Sequence, residues 1–518
     1  MHHLTHKHDV TTYELNTKMM RRIVCLGYYH HHNLGDDCFE HLLPRLFPNH
    51  VVICVNPCST CDGDLEDIRE LINNVRTDAV VVGGGDLIRD FWMPQIKSLL
   101  IDVKKPRFAV SVGISYPDCA PYLQYMDRII VRSTADLAMI TPFRKDAIYL
   151  PDMSTMLIQD AERIRQQQEE AKDPSSPFHL AVCVAQPCIP TATNFASDLA
   201  RAIIKFIDRA TAESERRRWK ITLLPFNTNE AKPGEHDYLA QDHLEEALRK
   251  RAGIDVVNLK KRLSTAEALR LFCTFDLVIG MRYHSLLFSI VAKTLFIALH
   301  SQPKIRNLLI DLELTGTLCD HALKTDDKGR PTGRFDVGRL SEALFLMDKY
   351  SSETNSTNCW NQRINGFRQQ HMEIQKDYET MLQLPDVEQW TPKAPIVKAD
   401  NVLFMPNETT VSSIVKQTLA EVLHNDQLEG VTTRLAEFIA RPEGEASSDA
   451  LNRFLNVLER RIYAHCGMNA CQPNQSLNMM KRYAWGLGQK LNDHLAGRVS
   501  CDVIEEMKWV IMDRIRHA

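Results

Sequence analysis

Arg282 and His284 stand two residues apart, directly behind the apolar run Asp276-Leu277-Val278-Ile279-Gly280. A strand that stops at a glycine, with a helix opening behind it, puts both side chains at a helix N-terminus. Unpaired amides and the positive end of the helix dipole attract anions there, and an arginine adds a fixed fork for carboxylate or phosphate. A histidine beside it exchanges protons near neutral pH. Taken alone, the same five residues also describe a surface arginine and a satisfied histidine at an ordinary turn, so the rest of the chain must decide.

Further residue types suited to the same chemistry recur at the ends of apolar runs. In Gly27-Tyr28-Tyr29-His30-His31-His32-Asn33-Leu34-Gly35-Asp36-Asp37, Asn33 and Gly35 suit a turn with unusual dihedrals. Asp36 or Asp37 then falls in the first turn of a helix, as a cap or as a carboxylate facing a cleft. Gly83-Gly84-Gly85-Asp86-Leu87 brings backbone close to whatever fills that cleft, or serves tight strand-to-helix packing. Gly113-Ile114-Ser115 repeats the pattern more weakly. Val131-Arg132-Ser133 closes one run with a guanidinium, and Pro151-Asp152 closes the next with a carboxylate.

The elements that position these residues are short, uninterrupted, β-branched runs, which mark strands covered on both faces and hence a parallel sheet. Arg22 to Leu26, Val51 to Val55, Ala79 to Val82, Phe108 to Val112, Arg128 to Val131 and Ala147 to Leu150 form a first series. Leu180 to Val184, Lys220 to Pro225, Val256-Val257, Leu277 to Ile279 and Leu295 to Leu299 form a second, with a helix through Ile203 to Thr211. The expected fold is α/β: two Rossmann-like lobes with a cleft between them, plus a C-terminal helical module. Ligands in such sheets bind at the carboxyl ends of the strands, where the glycines, Arg282 and His284 all fall. The boundaries are a polar tail over 1–20, an N-terminal lobe over 21–172 on the acceptor side, and a C-terminal lobe over 177–385 on the donor side. In the latter, apolar residues at Ile364, Phe367, Ile374, Tyr378 and Met381 predict one helix crossing back. A linker over 386–410 leads to a helical module over 411–518 with no evident chemistry, a surface for a protein partner.

Length and composition bound the function. A chain of 518 residues exceeds one hydrophobic core. A net charge of -4 argues against a nucleic-acid surface as the main binding device. No run matches a secretory signal or a membrane span; Leu286 to Leu299 is short and carries Lys293. The 14 scattered cysteines fit reduced thiols and a cytoplasmic protein. Cys58 with Cys61, Cys466 with Cys471, the histidines at 2, 3, 6 and 8 and His30-His31-His32 all lack the second half of a zinc site, so no metal is expected.

Taken in order, the motifs resemble the polysaccharide pyruvyltransferase family: Gly27-Tyr28, Asn33-Leu34-Gly35-Asp36, Gly83-Gly84-Gly85, Val112-Gly113-Ile114, Val131-Arg132, Pro151-Asp152, Gly280-Met281-Arg282-Tyr283-His284 and Lys304. The resemblance runs from about Arg22 to Leu312 and leaves the helical tail outside. It implies a two-lobed, glycosyltransferase-B-like enzyme that moves the enolpyruvyl group of phosphoenolpyruvate onto two hydroxyls of one sugar, giving a pyruvate ketal and phosphate. It further implies His284 as proton donor, with Asp36 and then Asp152 as choices for the base. Arg282, Tyr283, Lys304, Arg132, Asn33, Gly35, Gly84 and Gly85 are implied substrate-binding positions. Phosphoenolpyruvate is a donor substrate, and no cofactor is implied. Two departures stand out: His30 replaces a frequent glycine, and Val131-Arg132-Ser133-Thr134-Ala135-Asp136 replaces a V-R-D-x-x-S pattern, which puts the role of Arg132 in question. The other readings are a sugar-nucleotide glycosyltransferase on the same scaffold, with Arg282 and the glycines on a diphosphate, and a non-catalytic scaffold protein acting through the tail.

Overall fold

The computed structural model describes residues 21–385 except 58–61, 90–91, 101, 170–175, 187–191, 214–217, 230–235, 326–331 and 353–358. The tail over 1–20, the linker, the helical module, Cys58, Cys61, Cys466 and Cys471 lie outside the described residues.

The β-branched runs form strands that assemble into two parallel six-stranded sheets. The first contains β1 (Arg22–Leu26), β2 (Val51–Val55), β3 (Thr77–Ile88), β4 (Arg107–Ile114), β5 (Arg128–Val131) and β6 (Ile148–Tyr149), in the order β2-β1-β3-β4-β5-β6. The second contains β7 (Phe178–Cys183), β8 (Trp219–Leu223), β9 (Ile254–Asn258), β10 (Leu277–Gly280), β11 (Leu295–His300) and β12 (Asp320–Ala322), in the order β12-β11-β10-β7-β8-β9. Every pairing between these strands is parallel, so each strand must return through a crossover. Strands β3, β4, β10 and β11 are buried on nearly every residue, which is why they read as unbroken apolar runs rather than alternating ones.

Strand order reverses between β1 and β3 in the first sheet and between β7 and β10 in the second. At such a reversal adjacent crossovers leave on opposite faces and open a crevice at the carboxyl ends of the strands. The loops that open there carry Asn33 to Asp36 after β1, Gly84 to Asp86 at the end of β3, and Arg282 to His284 after β10.

Both lobes, apart from Tyr116–Pro121, belong to one compact unit, and backbone joins them directly. Asn33 forms an antiparallel bridge with Asn227, the Leu34 amide donates to the Phe226 carbonyl at 2.8 Å, and the Thr228 amide donates to the His32 carbonyl at 2.9 Å. The single helix expected through Ile364 and Met381 is two, Cys359–Gln370 and Ile374–Met381, separated by a turn at 371–373. Arg368 donates to the Ile290 carbonyl from the first of these, and Tyr378 donates to the Pro151 carbonyl from the second. Among the described residues no helix is long and apolar enough to cross a membrane.

Candidate functional site

His284 is the second residue of helix Tyr283–Ala292, which starts right after β10 with Arg282 as its N-cap. Its ring is buried, edge-on to Phe39 at 5.5 Å between centroids. Gly35, in the first turn of helix Leu34–Leu46, lies flat against the ring: a Cβ there would collide with Nδ1, so only glycine lets the two lobes approach so closely. The other ring nitrogen, Nε2, has no hydrogen-bond partner and stands 3.8 Å from Oδ2 of Asp152. Buried polar atoms are ordinarily paired, so an unpaired nitrogen at a crevice calls for an explanation.

Asp152 follows β6 and caps the short 3-10 turn Met153–Leu157. Its Oδ1 accepts from the Ser154 amide at 3.0 Å and its Oδ2 from Arg132 at 3.2 Å. Arg132, at the end of β5, is 3% exposed and also pairs with Asp86, whose other oxygen accepts from Lys304 Nζ at 2.8 Å. Lys304 stands in the first turn of helix Pro303–Asp311, which has no side-chain cap. A line of alternating charge, Lys304–Asp86–Arg132–Asp152, therefore runs across the lobes toward His284. Gly113 makes room for it, since a Cβ there would fall 2.6 Å from Asp86 Oδ1 and 2.9 Å from Arg132 Nε. The Tyr283 ring lies under the Arg132 guanidinium at 4.5 Å and is itself buried, so it supports the arginine rather than facing a ligand.

Asp36 joins from the first lobe. Its Oδ2 accepts from Asn33 Nδ2 at 2.6 Å, and its Oδ1 lies where a Cβ on Gly85 would stand. Asn33 also caps the helix through the Gly35 amide at 3.3 Å. Gly84, with φ +78°, packs under Phe39 instead of opening to the cleft.

Burial sets the proton states. It lowers His284 to about 4, with Asp152 opposing and Arg132 and Lys304 adding to the shift. It raises Asp36 to about 7, against the pull of Lys304 and Arg132. Burial also acts to raise Asp86, but Lys304 and Arg132 together outweigh it and hold that carboxyl well below the usual range.

The structure thus brings together His284, Asp152, Arg132, Lys304, Asp36, Asn33, Gly35 and Gly85. Arg282 is placed differently from the open anion fork read from the sequence: its guanidinium engages fully buried Asp237, with Nε donating to Oδ2 at 3.3 Å. Asp237 also accepts from the amides of Gln186, Phe226 and Asn227 at 3.0–3.2 Å, tying together the chain ends beyond β7, β8 and β10. Asp86 and Asp237, which hold Arg132, Lys304 and Arg282, are not singled out by the sequence. The signal for Asp86 was its place behind the glycine triplet; Asp237 lies in a polar stretch with no motif.

The departure after Arg132 is an exchange rather than a loss. Ser133 caps helix Thr134–Ile140 by accepting from the Asp136 amide at 3.0 Å, and its hydroxyl donates to Asp136 Oδ2 at 2.6 Å. The acid and the hydroxyl have traded places within one capping pair, and Arg132 keeps its two carboxylate partners. Among the described residues no three histidine, cysteine or acidic side chains converge as ligands of a metal ion.

Fold and site together define a two-lobed parallel α/β protein in which a buried histidine, carboxylates and cations meet between the lobes. Residues 33–302, somewhat more than half of the chain, match the family model described as polysaccharide pyruvyl transferase, and the chain belongs to that family. No curated protein gives a significant match. Solved structures with a similar course include the Methanocaldococcus jannaschii UDP-GlcNAc 2-epimerase in complex with UDP-GlcNAc and UDP, at 11% identity and TM-score 0.39, covering 68% of this chain and 100% of that one. The Rickettsia bellii UDP-N-acetylglucosamine 2-epimerase gives 9% identity and TM-score 0.42 over 70% of this chain and 97% of that one. An E. coli trehalose-6-phosphate structure bound with UDP-2-fluoro glucose gives 10% and 0.42 over 72% and 100%.

Proposed function

We propose that this protein transfers the enolpyruvyl group of phosphoenolpyruvate to two hydroxyls of one saccharide, forming a pyruvate ketal and releasing phosphate. Family membership supports the reaction class. The observation that carries the reading is the buried Nε2 of His284, without a hydrogen-bond partner, at the end of a line of alternating charge that includes Lys304 and Arg132.

Phosphoenolpyruvate presents a phosphate and a carboxylate on three carbons. Lys304 and Arg132 are the cations that exchange part of their pairing with Asp86 for these groups, Lys304 as a point charge on the departing phosphate and Arg132 as a fork. Protonation of the methylene carbon makes it a methyl and leaves the adjacent carbon electrophilic. A sugar hydroxyl adds there, its proton passing to a base; the carbon–oxygen bond to phosphate breaks; the second hydroxyl closes the ketal. Of the two hydroxyl protons, one is balanced by the proton gained at the methyl and the other leaves with phosphate, so the sequence needs no oxidant or reductant.

At neutral pH a carboxyl near 7 is a proton donor and an imidazole near 4 is a free base. These states support Asp36 as the acid toward the methylene carbon and His284 as the base toward the hydroxyl, steadied by Asp152. That is the reverse of the roles expected from the sequence.

The test is phosphate release from phosphoenolpyruvate by the purified protein with galactose, N-acetylglucosamine and N-acetylmannosamine acceptors. Acceptor-dependent release is expected. Because an acid or base group contributes about a hundredfold to ten-thousandfold, His284→Ala and Asp36→Asn should each lose activity on that scale. Consumption of a nucleotide sugar in place of phosphoenolpyruvate, or full activity in His284→Ala, would contradict the reading.

A further inference from the structure

The turn that carries Asp152 is gripped from both sides by residues outside the cluster. Tyr378, fully buried on helix Ile374–Met381, donates its hydroxyl to the Pro151 carbonyl at 2.7 Å. Ser111, also fully buried, accepts from the Met153 amide at 2.9 Å through Oγ. Residues 151 and 153 are thus fixed by two buried hydroxyls, and Asp152 lies between them.

Ser111 holds this place against its own backbone preference. Its φ is +55° in the middle of β4, opposite Gly84 at +78°, and the β4–β5 register shifts between Val110 and Val112. A non-glycine residue in the left-handed region inside a strand is strained, and strain of that kind is retained where the surroundings require it. A glycine would suit the backbone better and would remove the small side chain that carries the hydroxyl.

We infer that Tyr378 and Ser111 are positioning residues that set the Asp152 carboxylate against His284. The helix that supplies Tyr378 lies beyond residue 302, outside the segment matched by the family model. The inference rests on the reading of His284 and Asp152 as a proton-handling pair. Asp152 opposes the effect of burial on His284 most strongly and Asp86 at the end of β3 opposes it less, while Arg132 after β5 and Lys304 on helix Pro303–Asp311 add to it. Loosening the turn weakens one of these influences and leaves the other three in place.

Tyr378→Phe and Ser111→Gly test it in the full chain. Outer residues that orient a functional side chain typically account for roughly ten- to a hundredfold in activity. Both variants are expected to lose kcat on that scale, with KM for phosphoenolpyruvate changed by less than about twofold, and to move the acid limb of the kcat/KM profile to lower pH. The histidine ring resonances of isotopically labelled protein, with His284→Ala for assignment, read the His284 midpoint without substrate, and this should fall in both variants. Wild-type protein that never turns over phosphoenolpyruvate would sink the proposed function and leave the resonances to decide the clamp. A folded variant with unchanged kcat or, where there is no turnover, an unchanged His284 midpoint would overturn the clamp. If Tyr378→Phe does not fold, Ser111→Gly decides; failure of both to fold would overturn it by reducing the two residues to core packing.

Discussion

At the residue scale, His284 and Asp36 bias stability in opposite directions over the same pH range. The unfolded chain takes up a proton on His284 near 6.5, whereas the folded chain does so only near 4; between these values falling pH favours unfolding. Asp36 releases its proton near 3.8 when unfolded and near 7 when folded, so its contribution is lost as pH rises through that window. The two slopes oppose each other between about pH 4 and 6.5. In chemical denaturation across that range, Asp36→Asn should gain stability with rising pH more steeply than wild type, and His284→Phe should show the falling slope of Asp36. Identical slopes in all three proteins would mean that neither side chain is desolvated as described. The types of these residues were legible because each stands in the first turn of the helix that follows an apolar run ending in glycine. Their proton states were not, since these depend on Lys304 and Arg132, and the pairing of Lys304 with Asp86 spans 218 positions.

At the element scale, the close approach of helix Leu34–Leu46 to the His284 ring makes Gly35 a steric requirement. Gly35→Ala should keep the fold and its far-UV signature while displacing the ring, with activity falling by about a hundredfold or more, as for loss of a proton-transfer group. A variant with wild-type kcat would show that the ring has room the structure does not give it. Most strands were readable because burial on both faces leaves continuous β-branched runs. β12 was not: it has three residues, Asp320-His321-Ala322, and pairs only along β11. The break at 371–373 was hidden because the seven-residue step from Phe367 to Ile374 keeps the apolar stripe in helical register across it. The Asn33–Asn227 bridge was equally invisible, as backbone pairing between separate loops leaves no pattern in side-chain type.

At the scale of the whole molecule, the lobes meet through contacts of unequal importance. Arg262 pairs with Asp37 at 2.7 Å, the arginine side chain 48% exposed and the aspartate 10%, so Arg262→Ala should cost about 1–3 kcal/mol of unfolding free energy by leaving that carboxylate unpaired, and leave KM for phosphoenolpyruvate unchanged. Lys304 is more enclosed and faces the proposed phosphate position. Hydrogen bonds to charged groups are worth roughly 1.5–3 kcal/mol, so Lys304→Met should raise that KM by about tenfold to a hundredfold. Equal effects of the two substitutions, read by steady-state kinetics and melting curves, would assign Lys304 to the seam alone. The most direct measurement of the central claim is turnover of phosphoenolpyruvate with an accepting saccharide in heavy water, followed by mass and proton spectra of the product. The account predicts a ketal whose methyl group carries one solvent deuterium, formed in step with phosphate and absent from His284→Ala. A saccharide product without a pyruvyl group, or phosphate release that does not depend on the acceptor, would contradict it.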